Sequence, residues 1–283
     1  MSQANPTDLV QDPRMHGFRD FLLTSGIPYL TLFQLVPEFL DLSNHRRKCL
    51  AEILHKAKEN LFVSQRNEEV IRKTLLFDGS GSVVDNPIGF SPPKKVLDWP
   101  SEDEGLHFAI VGRLSCPHKG HDILMEALGS PAWRERKWTL NLYGDGADEE
   151  YLKTMATFYG LDARCLFHGH VSKAEEIWEK CHVCLLPSRM EGTPIVLLES
   201  MAAGRPAVVT DVGGNADCVK EGESGFVVPA PTVQLLLDGL EKLWDNQQRL
   251  ESLGESAFGR FCQLRGLDRS TSHVLSLMTS QLR

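Results

Sequence analysis

A regular alternation of apolar runs with amphipathic segments extends from about residue 107 to residue 245, and it restricts the possible folds more than any other feature of the chain. Apolar runs bounded by glycine, proline or charge are typical of buried strands, and the segments between them have helical spacing. Strands are predicted near residues 107–112, 138–143, 164–168, 182–186, 206–210 and 225–228. Helices are predicted near residues 120–129, 147–159, 173–180, 194–203, 214–220 and 232–245. This order predicts an α/β domain built on a doubly wound parallel sheet.

The composition narrows the class of protein further. The chain has 283 residues, of which 42% are hydrophobic, enough for one large domain or two moderate ones. Its formal net charge is −8 and it has no basic stripe, so a nucleic-acid partner is not expected. No apolar run is long enough to span a bilayer and the first residues do not resemble a signal peptide, so we expect a cytoplasmic protein without a transmembrane segment.

The segment E-G-T-P-I-V-L-L-E, residues 191–199, predicts a short helix that carries a carboxylate on its apolar face. Thr193 is predicted to be the N-cap and Pro194 the first helical residue, with the helix running from 194 to 203. An apolar stripe is predicted to contain Ile195, Leu198, Glu199 and Ala202. A carboxylate in such a stripe needs a partner. Either a ligand or a buried arginine could supply that partner.

Glu191 lies just before this predicted helix, where free N–H groups and the helix dipole favour an anion such as a phosphate. With Glu199 it could therefore form part of a ligand clamp. The alternative is that Glu191 only interacts with the helix dipole.

Basic residues and glycines follow the predicted strands at one edge of the sheet. Arg113 and Lys119 follow the first strand, and glycine-containing turns follow the second, third and fifth strands, at residues 144–146, 169–171 and 213–214. The segment P-S-R-M-E, residues 187–191, follows the fourth strand. Ligands of open parallel sheets bind outside the carboxyl ends of the strands. Glycine allows a close approach of the main chain, and arginine and lysine supply the charge that a diphosphate requires. The sequence therefore predicts a ligand site at this edge.

Five motifs then identify a family. V-G-R-L-S-C-P-H-K-G (111–120), L-Y-G-D-G (142–146), F-H-G-H-V (167–171), the segment 186–210 around E-G-T-P-I-V-L-L-E, and V-G-G with G-E-S-G-F-V-V-P (212–229) occur in order. They resemble the donor domain of retaining GT-B glycosyltransferases of family 4. A weaker resemblance upstream, at residues 26–34, 60–67 and 83–90, is to the last strands of that family's N-terminal domain and its hinge.

The resemblance implies a role for each matching residue. Arg113 and Lys119 would contact the donor diphosphate and stabilise charge on the leaving group, Glu191 would lie near the transferred sugar, and Glu199 would accept hydrogen bonds from the ribose hydroxyls. Residues 192–196, except Pro194, would offer main-chain N–H groups to the phosphates, and residues 169–171 would lie against the nucleobase. No metal or other cofactor is expected, since no D-x-D motif is present in the donor domain. The predicted catalytic residues are Glu191, Arg113 and Lys119. The predicted nucleotide-sugar-binding residues are Glu199, Gly112, Gly144, Gly146, Gly169, His170, Val171, Ser188, Gly192, Thr193, Ile195 and Val196.

The resemblance also implies the domain organisation. We expect a partial acceptor-side domain and hinge over residues 1–97, because the family's glycine-rich loop has no counterpart before residue 26. The donor-binding domain would cover residues 98–265, and residues 266–283 would form a helix that crosses back to the N-terminal half. Gln34 stands where the family has a histidine near the sugar, and it cannot titrate.

The resulting prediction is a glycosyltransferase that moves a hexose from a UDP- or GDP-sugar to an unidentified acceptor with retention. Half of the acceptor wall is predicted to be missing, so we expect this chain to transfer sugar poorly and to self-associate. Two alternatives stay open, a nucleotide-sugar-binding module without catalysis and, with no feature in its favour, a GT-B phosphorylase or epimerase.

Overall fold

The structure of the chain is a computed structural model that describes residues 16–79, 81–86 and 94–265, together with residues 276 and 279. The described residues form two compact units. The first contains residues 16–86 with 190–193, and the second contains residues 94–189 with 194–265. The C-terminal helix predicted over residues 266–283 lies outside the described residues as a continuous element, and the predicted domain boundaries stay predictions.

The first unit is built on a three-stranded parallel sheet of order β1-β3-β4. The three strands of this sheet are β1 Leu30–Phe33, β3 Glu59–Phe62 and β4 Ser82–Val83, and the unit also contains the short strand β2 Val36–Pro37. Its helices are α1 His16–Thr24, α2 Asn44–Lys56 and α3 Gln65–Leu75. Ser43 and Ser64 cap α2 and α3, since each side chain accepts a hydrogen bond from the main-chain N–H three residues on. Phe33 and Phe62 stack in the core, with ring centroids 5.0 Å apart.

The second unit contains a six-stranded sheet in which every neighbouring pair is parallel, with the order β11-β10-β8-β5-β6-β7. Its strands are β5 Leu106–Val111, β6 Trp138–Tyr143, β7 Cys165–Gly169, β8 Val183–Leu186, β10 Ala207–Thr210 and β11 Gly225–Val228. Its helices are α4 Cys116–Lys119, α5 His121–Leu128, α6 Pro131–Arg134, α7 Glu149–Tyr159, α8 Ala174–Trp178, α9 Ile195–Ala202, α10 Asn215–Cys218, α11 Val233–Asp245 and α12 Leu250–Arg265, and a 3₁₀ turn covers Gln247–Arg249. The prediction of a doubly wound α/β sheet is confirmed, with strand ends within two residues of those expected.

Both faces of this sheet are buried, because every residue of β8 and β10 packs against a helix layer. One apolar cluster contains Phe108, Leu140 and Leu240, and another, on the opposite side, contains Ala109, Leu197 and Met201. The strand order reverses between β5 and β8, the topological switch point at which ligands of such sheets bind. The fold therefore predicts a ligand site near the loops that follow β5 and β8.

The prolines and charges of residues 91–105 are typical of a linker, but residues 94–105 belong to the second unit. The N–H of Leu97 donates to the carbonyl of Ala203, and Trp99 packs edge-on to His182, with ring centroids 5.3 Å apart. Val96 lies against Gly204. The apolar side chains of this segment, rather than its prolines and charges, decide its place.

Candidate functional site

A cleft of about 430 Å³ opens at the carboxyl ends of the strands of the second unit. Its walls are the loops after β5, β6 and β7 together with the helix α9. The residues that line it are Val111, Gly112, Arg113, Tyr143, Gly144, Asp145, His170, Val171, Ser172, Ala174, Ile177 and Glu199. Six residues predicted from the sequence are therefore brought together here, namely Gly112, Arg113, Gly144, His170, Val171 and Glu199.

Glu199 is the carboxylate of this cleft. It is half-buried on α9, and desolvation by burial raises the pKa of its carboxyl group. Within the described residues its carboxylate forms no hydrogen bond or ion pair. A carboxylate that loses water without gaining a partner is destabilising in the free protein, so a ligand that donates hydrogen bonds would restore what burial removes.

The buried arginine nearest in sequence does not hold Glu199. Arg205 is 1% exposed, and its guanidinium donates to main-chain carbonyl groups, which include those of Trp178, Cys181 and Asp98. Desolvation lowers the pKa of Arg205 to about 10. Arg205 thus ties the segment before β5 to the ends of α8 and α9, and its donors are engaged by the main chain.

Arg113 is the exposed cation of the cleft. Within the part of the chain that the structure describes, its guanidinium forms no ion pair or hydrogen bond. Lys119 does not line the cleft, but its side chain folds back over Gly112, with Cε 3.3 Å from the position of an ideal Cβ there. The two basic residues thus stand at the two ends of one loop beside the cleft.

The two glycines after β6 allow close packing between segments of the main chain. A Cβ on Gly144 would overlap with the carbonyl of Gly112, and a Cβ on Gly146 would overlap with that of Leu114. Gly144 lines the cleft and Gly146 does not. Both residues let the loop after β6 pack directly on the loop after β5. Gly169, at the end of β7, has a φ of +65° and is also outside the lining.

Six residues that line the cleft were not predicted from the sequence, namely Val111, Tyr143, Asp145, Ser172, Ala174 and Ile177. Tyr143 forms one wall of the cleft, and its ring stacks on that of His168 with ring centroids 4.5 Å apart. Asp145 and Ser172 contribute polar groups. Tyr143 and Asp145 belong to the motif L-Y-G-D-G. Residues that flank a glycine at the end of a strand lie at the same edge of the sheet as that glycine, so the motif could have indicated both.

Three further predicted residues of the second unit also lie outside the lining of this cleft. Ser188 is fully buried, and its carbonyl accepts a hydrogen bond of 2.6 Å from the hydroxyl of Thr210. Ile195 is 38% exposed, so its predicted place in an apolar stripe is wrong, because the buried face of α9 contains Leu197, Leu198 and Met201 instead. Val196 is half-buried and packs against the apolar cluster that contains Leu197.

Glu191, Gly192 and Thr193 belong to the first unit. Glu191 forms the short strand β9, Met190–Glu191, which pairs antiparallel with β2, and it is 4% exposed. A Cβ on Gly192 would overlap with the carbonyl of Gln34. The prediction that Thr193 caps the helix is wrong, because its hydroxyl donates to the carbonyl of Val63 at 2.6 Å and Pro194 takes the capping position.

The described residues also bear on metal binding and on membrane insertion. No group of three or more histidine, cysteine, aspartate or glutamate side chains in them could hold a metal ion. Among the same residues, no helix combines the length and the hydropathy that a membrane span requires.

The sheet agrees with what comparison with known proteins shows. The sequence profile of the family described as glycosyl transferases group 1 matches residues 96–260. An exopolysaccharide phosphotransferase of Streptomyces coelicolor is 32% identical over 150 residues, which cover 52% of this chain and 16% of that protein. The lipopolysaccharide 1,6-galactosyltransferase of Salmonella typhimurium is 27% identical over 202 residues, which cover 70% of this chain and 54% of the relative. The chain thus spans about half or less of these relatives.

A solved structure shows the same fold. The crystal structure of Anabaena HepE in complex with UDP superimposes with a TM-score of 0.72 at 20% identity, covering 91% of this chain and 76% of the other. This likeness establishes the GT-B fold. Because the family profile matches more than half of the sequence, the chain belongs to the glycosyl transferases group 1.

Proposed function

We propose that the protein is a retaining glycosyltransferase of family 4 that transfers a hexose from a UDP- or GDP-sugar to an acceptor. The donor would bind in the cleft lined by Arg113 and Glu199. The sugar, the base and the acceptor are not specified by the residues of the cleft.

One observation carries this proposal. A carboxylate desolvated without a partner and a cation without a partner line the same cleft, at the edge of the sheet where ligands bind. A nucleoside diphosphate has a ribose diol that donates to a carboxylate and a diphosphate that attracts a guanidinium, so it satisfies both groups at once. The UDP in the structure of Anabaena HepE supports this choice of ligand.

The catalytic contribution of the basic loop would be electrostatic. As the bond between the sugar and the diphosphate breaks, negative charge grows on the leaving phosphate, and Arg113 and Lys119 would stabilise that charge without a metal ion. The nucleobase would lie against residues 169–171, of which His170 and Val171 line the cleft. Glu191 would act near the transferred sugar, and main-chain N–H groups of residues 192, 193, 195 and 196 would contact the phosphates, as the resemblance to the family implies.

A second candidate is a nucleotide-sugar-binding module without catalysis. Gln34 follows directly after β1, at the place where the resemblance implies a histidine near the sugar, and an amide side chain cannot act as a general acid or base at neutral pH. This candidate keeps the same donor cleft and differs only in turnover.

Calorimetry with UDP and with GDP tests the proposal shared by both candidates. We expect one of the two nucleotides to bind. Folded protein that binds neither of them at millimolar concentration would contradict it. Incubation with radiolabelled UDP- and GDP-sugars then separates the candidates, since transfer or slow hydrolysis indicates an enzyme and binding without turnover indicates a module.

A further inference from the structure

The segment after β8 lies directly against the loop that carries Arg113 and Lys119. The main-chain N–H of Arg189 donates to the carbonyl of His118 at 2.8 Å. A Cβ on Gly120, whose φ is +68°, would overlap with the carbonyl of Pro187, so only glycine permits this approach. The contact lies at the switch point between β5 and β8.

The guanidinium of Arg189 fastens the same loop a second time. It forms a bidentate ion pair with Asp122, at 2.6 Å to Oδ1 and 2.9 Å to Oδ2, and Nη1 also donates to the carbonyl of Cys116 at 2.7 Å. Both side chains are about two-thirds covered, with 30% and 27% exposure. A bidentate pair fixes distance and orientation together, which a lysine cannot do.

The loop is also held from its other side. The N–H of Cys116 donates to Asp148 Oδ2 at 2.6 Å, and the N–H of Leu114 donates to the carbonyl of Asp145 at 3.0 Å. The side chain of Arg113 makes no such bond among the described residues, so its position depends on how firmly the main chain around it is held.

We propose that Arg189, through Asp122, is a positioning residue that holds the loop of residues 113–119 in the conformation that receives the donor diphosphate. This inference rests on the proposed function. Arg189 acts on the nucleotide through the loop, because Asp122 neutralises its charge, Nη1 donates to Asp122 and to the carbonyl of Cys116, and Nη2 donates to Asp122. A loop held in place before the ligand arrives avoids the ordering cost at binding.

The test compares UDP with uridine, which lacks the phosphates. Arg189→Ala should weaken UDP binding about tenfold, since two basic side chains must then be ordered on binding, and should leave uridine binding unchanged. Equal loss for both ligands would mean a general structural effect, and an unchanged UDP affinity would refute the positioning role. Arg136→Ala is the matched control, because Arg136 forms a bidentate pair with Glu241 in the same unit and neither residue lines the cleft.

A double-mutant cycle separates positioning from direct contact. Arg189→Ala added to the Arg113→Ala, Lys119→Ala variant should cost no further UDP affinity if Arg189 works through those side chains. An additive loss would show that Arg189 contacts the phosphate itself and would overturn the proposal. Asp122→Asn, nearly the same size, should reproduce the effect of Arg189→Ala if the ion pair is what matters.

Hydrogen exchange keeps the test independent of nucleotide binding. In the absence of any ligand, Arg189→Ala should speed exchange of the main-chain amides of residues 113–120, and Arg136→Ala should not. If the wild-type protein binds neither UDP nor GDP, the proposed function fails while the exchange result still decides the hold on the loop. Unchanged exchange in Arg189→Ala would overturn that hold even if the nucleotides bind.

Discussion

Replacement of Glu199 should change stability and nucleotide affinity in opposite directions. In the free protein its carboxylate is desolvated and has no partner among the described residues, so it costs stability. In the complex it would accept hydrogen bonds from the ribose. A residue kept for a ligand at the expense of the fold has this signature.

The expected loss of affinity can be worked out from the kind of bond removed. A hydrogen bond that involves a charged group contributes about 1.5–3 kcal/mol, so Glu199→Ala should raise the Kd for UDP or GDP, whichever the wild type binds, by about 10- to 150-fold. Glu199→Gln should lose less, because the amide oxygen still accepts a hydrogen bond but without charge. Glu255→Gln, an exposed change on α12 outside the cleft, is the control and should bind the nucleotide as the wild type does.

The stability effect has a definite pH dependence. Burial raises the pKa of Glu199, so the folded protein holds this proton more tightly than the unfolded chain does, and stability is lost as pH rises through the folded pKa. Urea unfolding should therefore show that Glu199→Gln is at least as stable as the wild type at pH 7, with the difference disappearing in acid. A variant that unfolds easily while its nucleotide affinity stays unchanged would refute the ligand role and favour a structural one.

Three further outcomes follow from the same structure. Arg113→Ala should weaken UDP binding but not uridine binding, and calorimetry should show a smaller dependence of UDP affinity on salt, because the cation is exposed. His121 is 1% exposed, and its two ring nitrogens have no hydrogen-bond partner among the described residues. Burial lowers its pKa to about 4, so the free energy of unfolding should fall by up to about 3 kcal/mol as pH drops from 6.5 to 4. Urea unfolding of His121→Leu should show a smaller fall. Arg205→Met should destabilise the fold by about 3 kcal/mol or more in urea, since it leaves buried carbonyls without a donor, and Lys at this position should not restore it fully.

The sheet was predictable because its strands are predominantly apolar. The residues of β8 and β10 are buried on both faces, and runs of that kind, separated by glycine turns and amphipathic helices, have few other interpretations. The cleft was predictable for a related reason. Glu199 is a charged residue in the otherwise largely apolar helix α9, and a carboxylate in such a helix needs a polar partner.

The contacts that the sequence could not give are those between distant residues. The pair Thr193-Pro194 has the pattern of a helix cap, but the hydroxyl bonds to Val63, 130 residues earlier, and nothing local distinguishes the two outcomes. Arg205 follows Gly204 and precedes Pro206, which reads as an exposed turn, yet it is among the most buried side chains because six carbonyl groups converge on it.

The glycines show why a motif can be right about a place and incomplete about its cause. Gly144 and Gly146 were predicted from their position at the ligand edge, where glycine permits a close approach of a phosphate. In the structure the close approach is to the carbonyls of Gly112 and Leu114, and Gly120 makes the corresponding approach to Pro187. All three contacts surround the loop of residues 113–119. Glycines on both sides of this loop let neighbouring main chain pack closely against it, which restricts its motion, and a preorganised basic loop would suit a diphosphate.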